Sequence, residues 1–476
     1  MRICFTIALF LTLGLGAAAQ IAEIRTYGGL YADRGAAIKE TDTGYIIAAT
    51  TSSSDNGNTD VYLLHILEDL SIDWAVTLGG DGTEEAKDVL VLEDGSLLIL
   101  AQTSLGSNGG YDMVLFKTAS DGTLIWEEHY GGADWEFASA MTMASNGIHL
   151  VGQTFSESPG TERMLKILVD EDGAQLDYDT YDIIPKANAE DIITYNDGLY
   201  MIGTREFDGE PSQGIIRKLE LNGAIEWQAV QDSVNFQGNA LAASNLGIAA
   251  AYAKEDQQQD GTWDMFTVNY DEDGTELWHR WTNTDVTGNQ IPAAIVWYNF
   301  DVTQAAMTDV FGQGGEGIFL NRMSFEGALL SSAVFGGGAD DYPADLIMDS
   351  QNRMLFLGTA ASFGGGDDDV YLGRLPDDNI LPEPDYDIQF EDLTDDDFFI
   401  GIFENDRTVP TPWPNPAIET VNVPIEVESW VLMDATGKQI HSAKSRSIYV
   451  ADLESGMYFL QMQFRGQYFT KAIVIR

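Results

Sequence analysis

Short apolar segments of four to eight residues recur along most of this chain, separated by polar turns rich in Asp and Gly. Segments 45–48, 97–100, 148–151 and 354–357 are of this kind, and each is followed some ten residues later by a second apolar run. Segments this short, bounded by turn residues, are typical of buried strands. Because no stretch shows a helical period, the pattern predicts an all-β protein.

A marker of one apolar or aromatic residue and two glycines divides the strands into units. It begins at positions 27, 78, 130 and 335, and degenerate forms begin at 181, 231 and 281, so successive markers are 50 to 54 residues apart. Within a unit, Asp-Gly pairs such as Asp94-Gly95 and Asp121-Gly122 separate four predicted strands, because they supply the positive φ angles of tight hairpins. We therefore predict seven repeats, each complete one with four antiparallel strands.

Repeats of this length and content are typical of β-propeller blades. A β-solenoid is the alternative, but its coils are shorter and lack paired Asp-Gly hairpins. The seventh unit stops at Leu375 without a fourth strand, whereas segment 21–26 resembles a fourth strand without a unit. Pairing these two would close the ring and remove both open edges. We predict a seven-bladed propeller over residues 20–375.

The charge of the chain limits its partners. It has 76 Asp and Glu against 24 Lys and Arg, a net charge of −52 and a pI near 4.1. Such a surface repels nucleic-acid phosphates and anionic lipids, so we expect no nucleic-acid partner. Since 44% of the residues are hydrophobic, the composition still allows large cores and is not that of an acidic disordered chain.

The N-terminal segment 1–19 has the pattern of a secretory signal. Arg2 precedes an apolar run over 3–15, and the following alanines predict cleavage between Ala19 and Gln20. The run is too short for a membrane anchor, and no later stretch is apolar enough to span a membrane. Because the only cysteine, Cys4, lies in this segment, the mature chain would have neither disulfides nor a thiol nucleophile.

Two further segments follow the predicted ring. Residues 376–409 hold twelve acidic residues and one basic residue, a net charge of −11, with three prolines. This composition predicts an extended acidic linker. Residues 410–476 form a module of alternating apolar strands in which six acidic and six basic residues balance. The remaining charge of −42, from 58 acidic and 16 basic residues, belongs to the predicted propeller.

The repeats resemble those of secreted bacterial β-propeller proteins. The second unit carries the resemblance most fully, at Gly79-Gly80, Ala86, Asp94-Gly95, Thr103-Ser104, Asp112, Asp121-Gly122 and Trp126. The recurring tryptophan also resembles quinoprotein repeats, but seven blades and the absence of a mature cysteine count against that family. We expect these tryptophans to pack between blades. The resemblance implies a fold and says little about function.

The C-terminal module is similar to the type A sorting domain of the type IX secretion system of Bacteroidetes. The matching residues are Pro414, Asn415, Pro416, Asp434, Gly437, Lys438, Leu453, Gly456 and Tyr458. The resemblance implies Sec export, folding in the periplasm, and passage across the outer membrane by the type IX machinery as a partner. It also implies removal of the sorting domain and a secreted or cell-surface product.

Catalytic and metal-binding motifs are sparse. The chain has no Gly-x-Ser-x-Gly, and its five histidines are scattered without a zinc motif. The acidic turns 170–173 and 271–274 and the segment 366–369 suggest calcium, but none completes an EF-hand loop. We therefore predict no catalytic residue and no cofactor, with calcium left open, and we do not expect an enzyme.

Propellers usually bind ligands where the loops between blades meet the loops between second and third strands. These loops include 52–58, 104–110 and 362–368, and they suit a glycan or a cationic protein surface, although solvent-facing turns would look the same. We expect a binding or adhesion module. The alternatives are a propeller glycosidase or polysaccharide lyase and a calcium-dependent scaffold. The candidate face consists of Asp33, Glu84, Glu85, Asp134, Glu136, Asp340 and Asp341.

Overall fold

The computed structural model describes two sets of residues. They are 23–53, 58–104, 110–157, 161–182, 186–257, 261–282, 288–310, 315–364 and 367–375, and then 420–422, 429–434, 438–444, 447–451, 453, 456–464 and 467–475. The predicted signal segment, with Ala19 and Gln20, and the predicted linker lie outside the described residues. Every regular element in the described ranges is a β-strand. The chain divides into two compact units, residues 1–401 and 402–476.

The first unit is a ring of seven four-stranded antiparallel sheets, as the repeat predicts. The first three blades, from inner to outer strand, are β2 (Asp33–Thr41), β3 (Gly44–Thr51), β4 (Asp60–Leu67) and β5 (Ile72–Leu78); β6 (Glu84–Val91), β7 (Leu97–Thr103), β8 (Asp112–Thr118) and β9 (Leu124–Tyr130); and β10 (Glu136–Ala144), β11 (Gly147–Thr154), β12 (Arg163–Val169) and β13 (Gln175–Tyr181).

The next three blades follow the same order. They are β14 (Lys186–Tyr195), β15 (Gly198–Glu206), β16 (Gln213–Leu219) and β17 (Ile225–Gln231); β18 (Phe236–Ser244), β19 (Gly247–Asp256), β20 (Thr262–Tyr270) and β21 (Glu276–Thr282); and β22 (Gln290–Tyr298), β23 (Asp301–Thr308), β24 (Gly317–Ser324) and β25 (Leu329–Phe335).

The seventh blade closes the ring with the first strand of the chain. Its strands are β26 (Asp341–Met348), β27 (Met354–Ala360), β28 (Asp369–Leu375) and β1 (Glu23–Tyr27). β1 pairs antiparallel with β28 from Glu23 opposite Arg374 to Tyr27 opposite Val370. The guanidinium Nε of Arg374 also donates to Glu23 at 2.7 Å. The predicted closure is therefore confirmed: the described strand covers 23–27, and residues 21 and 22 of the predicted segment lie outside the described residues.

Burial in each blade follows the strand order. All seven residues of β7 are buried, and so are six of the seven in β8, because both faces of these strands are covered by neighbouring blades. In β9, by contrast, only Tyr130 is buried. The apolar runs of the sequence thus correspond to the second and third strands, where removal of apolar surface from water stabilises the ring most.

Fourth-strand residues connect each blade to the next. The ring of Trp126 lies against the hairpin glycine Gly173 of the following blade, and Trp74, Trp227 and Trp278 have the same relation to Gly122, Gly274 and Gly327. The hydroxyl of Tyr130 donates to the carbonyl of Gly173 at 2.7 Å. The recurring tryptophans and the marker tyrosines therefore hold adjacent blades together, as expected for packing residues.

The second unit is a small β-structure. β30 (Ser429–Asp434), β31 (Gln439–Ala443), β33 (Gly456–Phe464) and β34 (Gln467–Ile475) form a sheet in the order β31-β30-β33-β34, and β29 (Thr420–Asn422) pairs with β32 (Ser447–Tyr449). Its core contains Trp430, Leu432, Ile448, Val450, Leu460 and Met462. The alternating apolar pattern thus gives a sheet with one buried face.

Candidate functional site

The described parts of the two predicted sets of loops lie together on one side of the ring, which we call the loop face; residues 54–57, 105–109 and 365–366 lie outside the described residues. The backbone N–H of Ser52, after β3, donates to the carbonyl of Ala32 at 2.8 Å, and Phe155, after β11, donates to the carbonyl of Trp135 at 2.9 Å. The pairs Ser104 with Thr83 and Ala361 with Asp340 repeat this bond. In these four blades the loop that enters the blade is therefore bonded to the loop between its second and third strands.

Four of the seven candidate residues are buried beneath this face and bind the chain itself. Asp33, Glu84, Glu136 and Asp341 each begin an inner strand and are at most 1% exposed. Each accepts a hydrogen bond from the second marker glycine: from Gly29 at 2.7 Å, Gly80 at 3.3 Å, Gly132 at 2.8 Å and Gly337 at 2.7 Å. The marker and the acid five residues after its first glycine are thus one structural device.

A second buried carboxylate joins three of these acids. Asp60, Asp112 and Asp369 begin third strands, and they face Glu84, Glu136 and Asp33 across the first marker glycine. Burial and the repulsion of the facing carboxylate raise the pKa of Glu84 and of Asp112. Burial raises the pKa of Asp33 to about 6. Three consecutive blade junctions therefore hold carboxylate pairs that favour a protonated member.

The first glycine of the marker is required by this arrangement. A Cβ on Gly131 would overlap the carboxylate of Asp112 and lie 2.8 Å from Glu136 Oε2. In the fifth blade, where the marker is degenerate, Phe236 begins the inner strand, and Lys254 of β19 pairs with Asp264 of β20 in the ladder. The glycines are absent where this acid is absent, which explains the weaker repeats.

The other three candidates are more exposed. Glu85 accepts a hydrogen bond from Lys87 at 3.2 Å and one from Gln102 at 2.8 Å. Asp134 and Asp340 are exposed, and Asp340 accepts a bond from the backbone of Glu316 at 3.0 Å. The predicted face therefore consists of two kinds of acid. Four are buried and hold the backbone, and only the other three lie where a ligand could contact them.

The loop face also carries a group of aromatic side chains that the predicted candidate face did not include. Trp135 is 46% exposed, and its ring packs edge-to-face against Phe137 and Tyr111, with centroids 5.7 and 6.4 Å away. Phe137 in turn contacts Phe155 at 6.1 Å. These residues and Asp134 form what we call the Trp135 patch. The only sequence signal was an aromatic residue at several loop positions of the second and third units.

The inner edge of the ring carries a second charged group. Every inner strand has a β-bulge at the same place, for example between Ala86 and Asp88. Lys39 Nζ lies 3.3 Å from Asp345 and 3.7 Å from Asp88, and so connects three consecutive blades. Burial raises the pKa of the nearby Asp191 to about 7. These acids also accept backbone hydrogen bonds from neighbouring blades, such as Met141 to Asp88 at 2.9 Å.

The histidines and acidic turns have local partners. His65 lies 3.0 Å from Asp73, and the buried His149 lies 2.9 Å from Asn146. In the turn at 170–173, Asp170 Oδ1 accepts bonds from Asp172 and Ala174, and Asp271 does the same for Asp273 and Thr275. Within the described ranges no three His, Cys, Asp or Glu side chains are grouped to hold a metal ion.

The predicted sorting residues lie partly in described segments. Asp434 ends β30, Gly456 begins β33, Tyr458 lies within β33, and Leu453 donates its N–H to Val450 at 3.0 Å. Lys438 directly precedes β31. Pro414, Asn415, Pro416 and Gly437 lie outside the described residues. Leu453 and Tyr458 pack on the core of the small sheet, so these two motif positions stabilise the module.

Residues 411–476 match the family described as the secretion system C-terminal sorting domain. This match agrees with the resemblance found in the sequence, and the chain is exported to the cell surface or the extracellular space. No helix in the described part of the chain is long and apolar enough to cross a membrane. No curated protein sequence matches the chain.

Several solved propeller structures are similar to the chain. The β-propeller domain of the Trilobed protease from Pyrococcus furiosus is 10% identical, with a TM-score of 0.46 over 75% of this chain and 94% of that one. Polysaccharide lyase Uly1 is 10% identical, with a TM-score of 0.47 over 74% and 92%. The subtype N10 neuraminidase-like protein of A/little yellow-shouldered bat/Guatemala/060/2010 is 10% identical, with a TM-score of 0.39 over 59% and 92%. No activity is transferred from these similarities.

Proposed function

We propose that the exported propeller is a binding or adhesion module that engages its ligand on the loop face. The observation that carries this proposal is the Trp135 patch. An indole with nearly half its surface exposed is held in one orientation by aromatic neighbours. A large side chain that is fixed before binding loses little conformational entropy in a complex, and tryptophan is enriched at binding hot spots.

The construction of the face supports the same proposal. In four blades, backbone bonds and a buried acid join the described ends of the two loops, so the exposed side chains of these ends stand on a common frame. The carboxylate pairs that could suggest glycoside hydrolysis are instead buried under the marker glycines, and Glu84 lies within hydrogen-bonding distance of Asp60. A glycosidase needs a substrate between two carboxyl groups about 5 to 10 Å apart. This favours binding over hydrolysis.

The test compares the full chain with a Trp135→Leu variant. Both are applied to a glycan array and to immobilised cell-surface proteins, and polysaccharide turnover is measured in parallel. Phe300→Ala is the matched control, because Phe300 is 66% exposed and lies in the hairpin between β22 and β23, outside the loop face. Loss of a ligand in Trp135→Leu alone supports the proposal. Turnover of a polysaccharide by the unmodified chain would contradict the binding proposal and support a carbohydrate-active enzyme instead.

A further inference from the structure

The residue before the exposed Trp135 is an aspartate whose carboxylate is held by the backbone. The backbone N–H of Trp135 donates to Asp134 Oδ1 at 3.1 Å, and the backbone N–H of Asp134 donates to Ser156 Oγ at 2.9 Å. Phe137 and Tyr111 meet the indole at interplanar angles of 85° and 82°. Edge-to-face neighbours of this kind fix the ring while part of it remains in contact with solvent. The patch thus combines an electron-rich ring with a negative charge.

The same chain contains a second assembly of this composition, and a cation occupies it. Lys254 Nζ lies 3.7 Å from the centroid of the Trp281 ring and 5.4 Å from that of Phe266. The indole N–H of Trp281 donates to Asp264 Oδ2 at 2.9 Å. A tryptophan, a phenylalanine and an aspartate therefore hold an ammonium group of the chain itself, as expected for a cation–π interaction.

The Trp135 patch differs in that its cation would come from outside. Among the described residues no lysine or arginine lies over the Trp135 ring. On the same face, Arg34 is paired with Asp368 at 2.9 Å and Lys87 with Glu85 at 3.2 Å. The propeller region carries 58 acidic and 16 basic residues, so its net charge is −42. Such a charge attracts basic partners and repels anionic ones.

We propose that the Trp135 patch binds a lysine or arginine side chain of a basic partner protein, with the cation over the indole and Asp134 as its counter-ion. The inference rests on the proposed binding function and narrows it to one class of ligand. The composition of the occupied Lys254 assembly favours a cationic side chain over a neutral sugar, and so does the net negative charge of the propeller.

The experiment measures binding of a fluorescein-labelled hexalysine peptide to the full chain by fluorescence polarisation at physiological ionic strength. Trp135→Leu keeps apolar contact with Phe137 and Tyr111 but removes the ring. Since a cation–π contact contributes about 0.5 to 2 kcal/mol, the affinity should fall by about two- to thirtyfold. Trp135→Phe should give an intermediate loss, and Asp134→Asn a loss of at least about twofold. The hexalysine with acetylated side chains should not bind.

Two controls separate this site from general attraction to an acidic surface. Asp81→Asn removes an exposed charge from the loop between the first two blades, and Phe300→Ala removes an exposed ring elsewhere. Both should bind hexalysine as the unmodified chain does. Circular dichroism and thermal melting confirm that each variant is folded.

Equal hexalysine binding by Trp135→Leu and the unmodified chain would overturn the inference. If Trp135→Leu lost a neutral oligosaccharide but kept hexalysine, the ligand class would be wrong while the binding function of the patch would stand. If the substitution changed neither kind of ligand, both proposals would fail.

Discussion

Asp60 and Glu84 face each other across the Cα of Gly79, with their carboxylates within hydrogen-bonding distance and both side chains buried. Two buried carboxylates this close cannot both be ionised without a large electrostatic cost. Asp112 and Glu136 lie on the same two sides of Gly131, and Asp369 and Asp33 on the same two sides of Gly28. Three successive blade junctions are thus sensitive to protonation.

Asp33 should make the stability of the propeller depend on pH. Its pKa is raised from 3.8 to about 6 by burial, so its contribution to stability is fully present below about pH 4 and is lost as the pH rises through 6. The unfolding free energy of Asp33→Asn, relative to that of the unmodified chain, should therefore be higher at pH 7 than at pH 4, by up to about 3 kcal/mol. Urea unfolding at several pH values measures this shift. Asp134→Asn is the exposed control, and parallel curves for Asp33→Asn and the unmodified chain would contradict the prediction.

Gly131→Ala should destabilise the ring, because the added methyl group overlaps the carboxylate of Asp112. Forcing such a group into a packed site costs about 1 to 3 kcal/mol. Gly338→Ala is the matched control, since no atom lies within 4 Å of its added Cβ. Thermal melting compares the two. Shortening the obstacle in Gly131→Ala/Asp112→Ala should recover part of the loss, and an equal effect of both single variants would argue against the steric explanation.

Tyr130→Phe should weaken the contact between the second and third blades. The variant removes the buried hydroxyl that donates to the Gly173 carbonyl at 2.7 Å. A buried carbonyl left without its donor costs about 1 to 3 kcal/mol. Tyr31→Phe removes a hydroxyl from a side chain that is 59% exposed and should change stability by less than about 0.5 kcal/mol. Chemical denaturation of both variants would refute the assignment if their effects were equal.

Lys39→Met should destabilise the inner edge of the ring, because Asp88 and Asp345 would lose their shared cation. Since Lys39 is about one-third exposed, solvent screening reduces the expected loss to about 1 to 3 kcal/mol. Lys186→Met, which removes the exposed pair with Glu206, should cost less than about 1 kcal/mol. The pKa of Asp88 is raised by burial, so mild acid should reduce the Lys39→Met deficit. A deficit independent of pH would contradict this explanation.

Removal of residues 411–476 should abolish export to the cell surface, because this segment is the sorting domain. The truncated protein should accumulate inside the cell envelope, as cell fractionation and immunoblotting would show. Trp135→Leu serves as a control, since it leaves the sorting domain intact and should be exported normally. Surface display of the truncated protein would mean that another segment directs export.

The architecture could be predicted because each blade repeats the same local constraints. Glycine markers, Asp-Gly turns and apolar runs occur in a fixed order, and the incomplete seventh unit indicated that the first strand closes the ring. Which of the candidate acids are buried and which are exposed could also have been predicted in part. Glu84 and Glu85 are adjacent, so alternation along a strand sends only one of them into the interior, although the charge pattern alone groups them together.

The remaining features depend on distance in three dimensions. Asp33 and Asp369 are separated by most of the ring in sequence, yet they share one junction. The rings of the Trp135 patch come from three separate segments of the chain, around 111, 135–137 and 155, so no local sequence pattern indicates that they meet. Lys254 lies among the rings of Phe236, Phe266 and Trp281. Phe236 begins the inner strand where other blades have a buried acid, a difference that appears in the sequence only as a weaker repeat.

The pairing of β1 with β28 has a consequence for biogenesis. The first strand of the ring cannot find its partner until the chain has been made as far as Leu375, and closing so long a loop is entropically costly until the intervening blades have folded. Any product truncated before that point keeps an unpaired strand edge open to proteases and aggregation. Both open strand edges of the propeller are therefore paired only in chains that have been synthesised through the last blade.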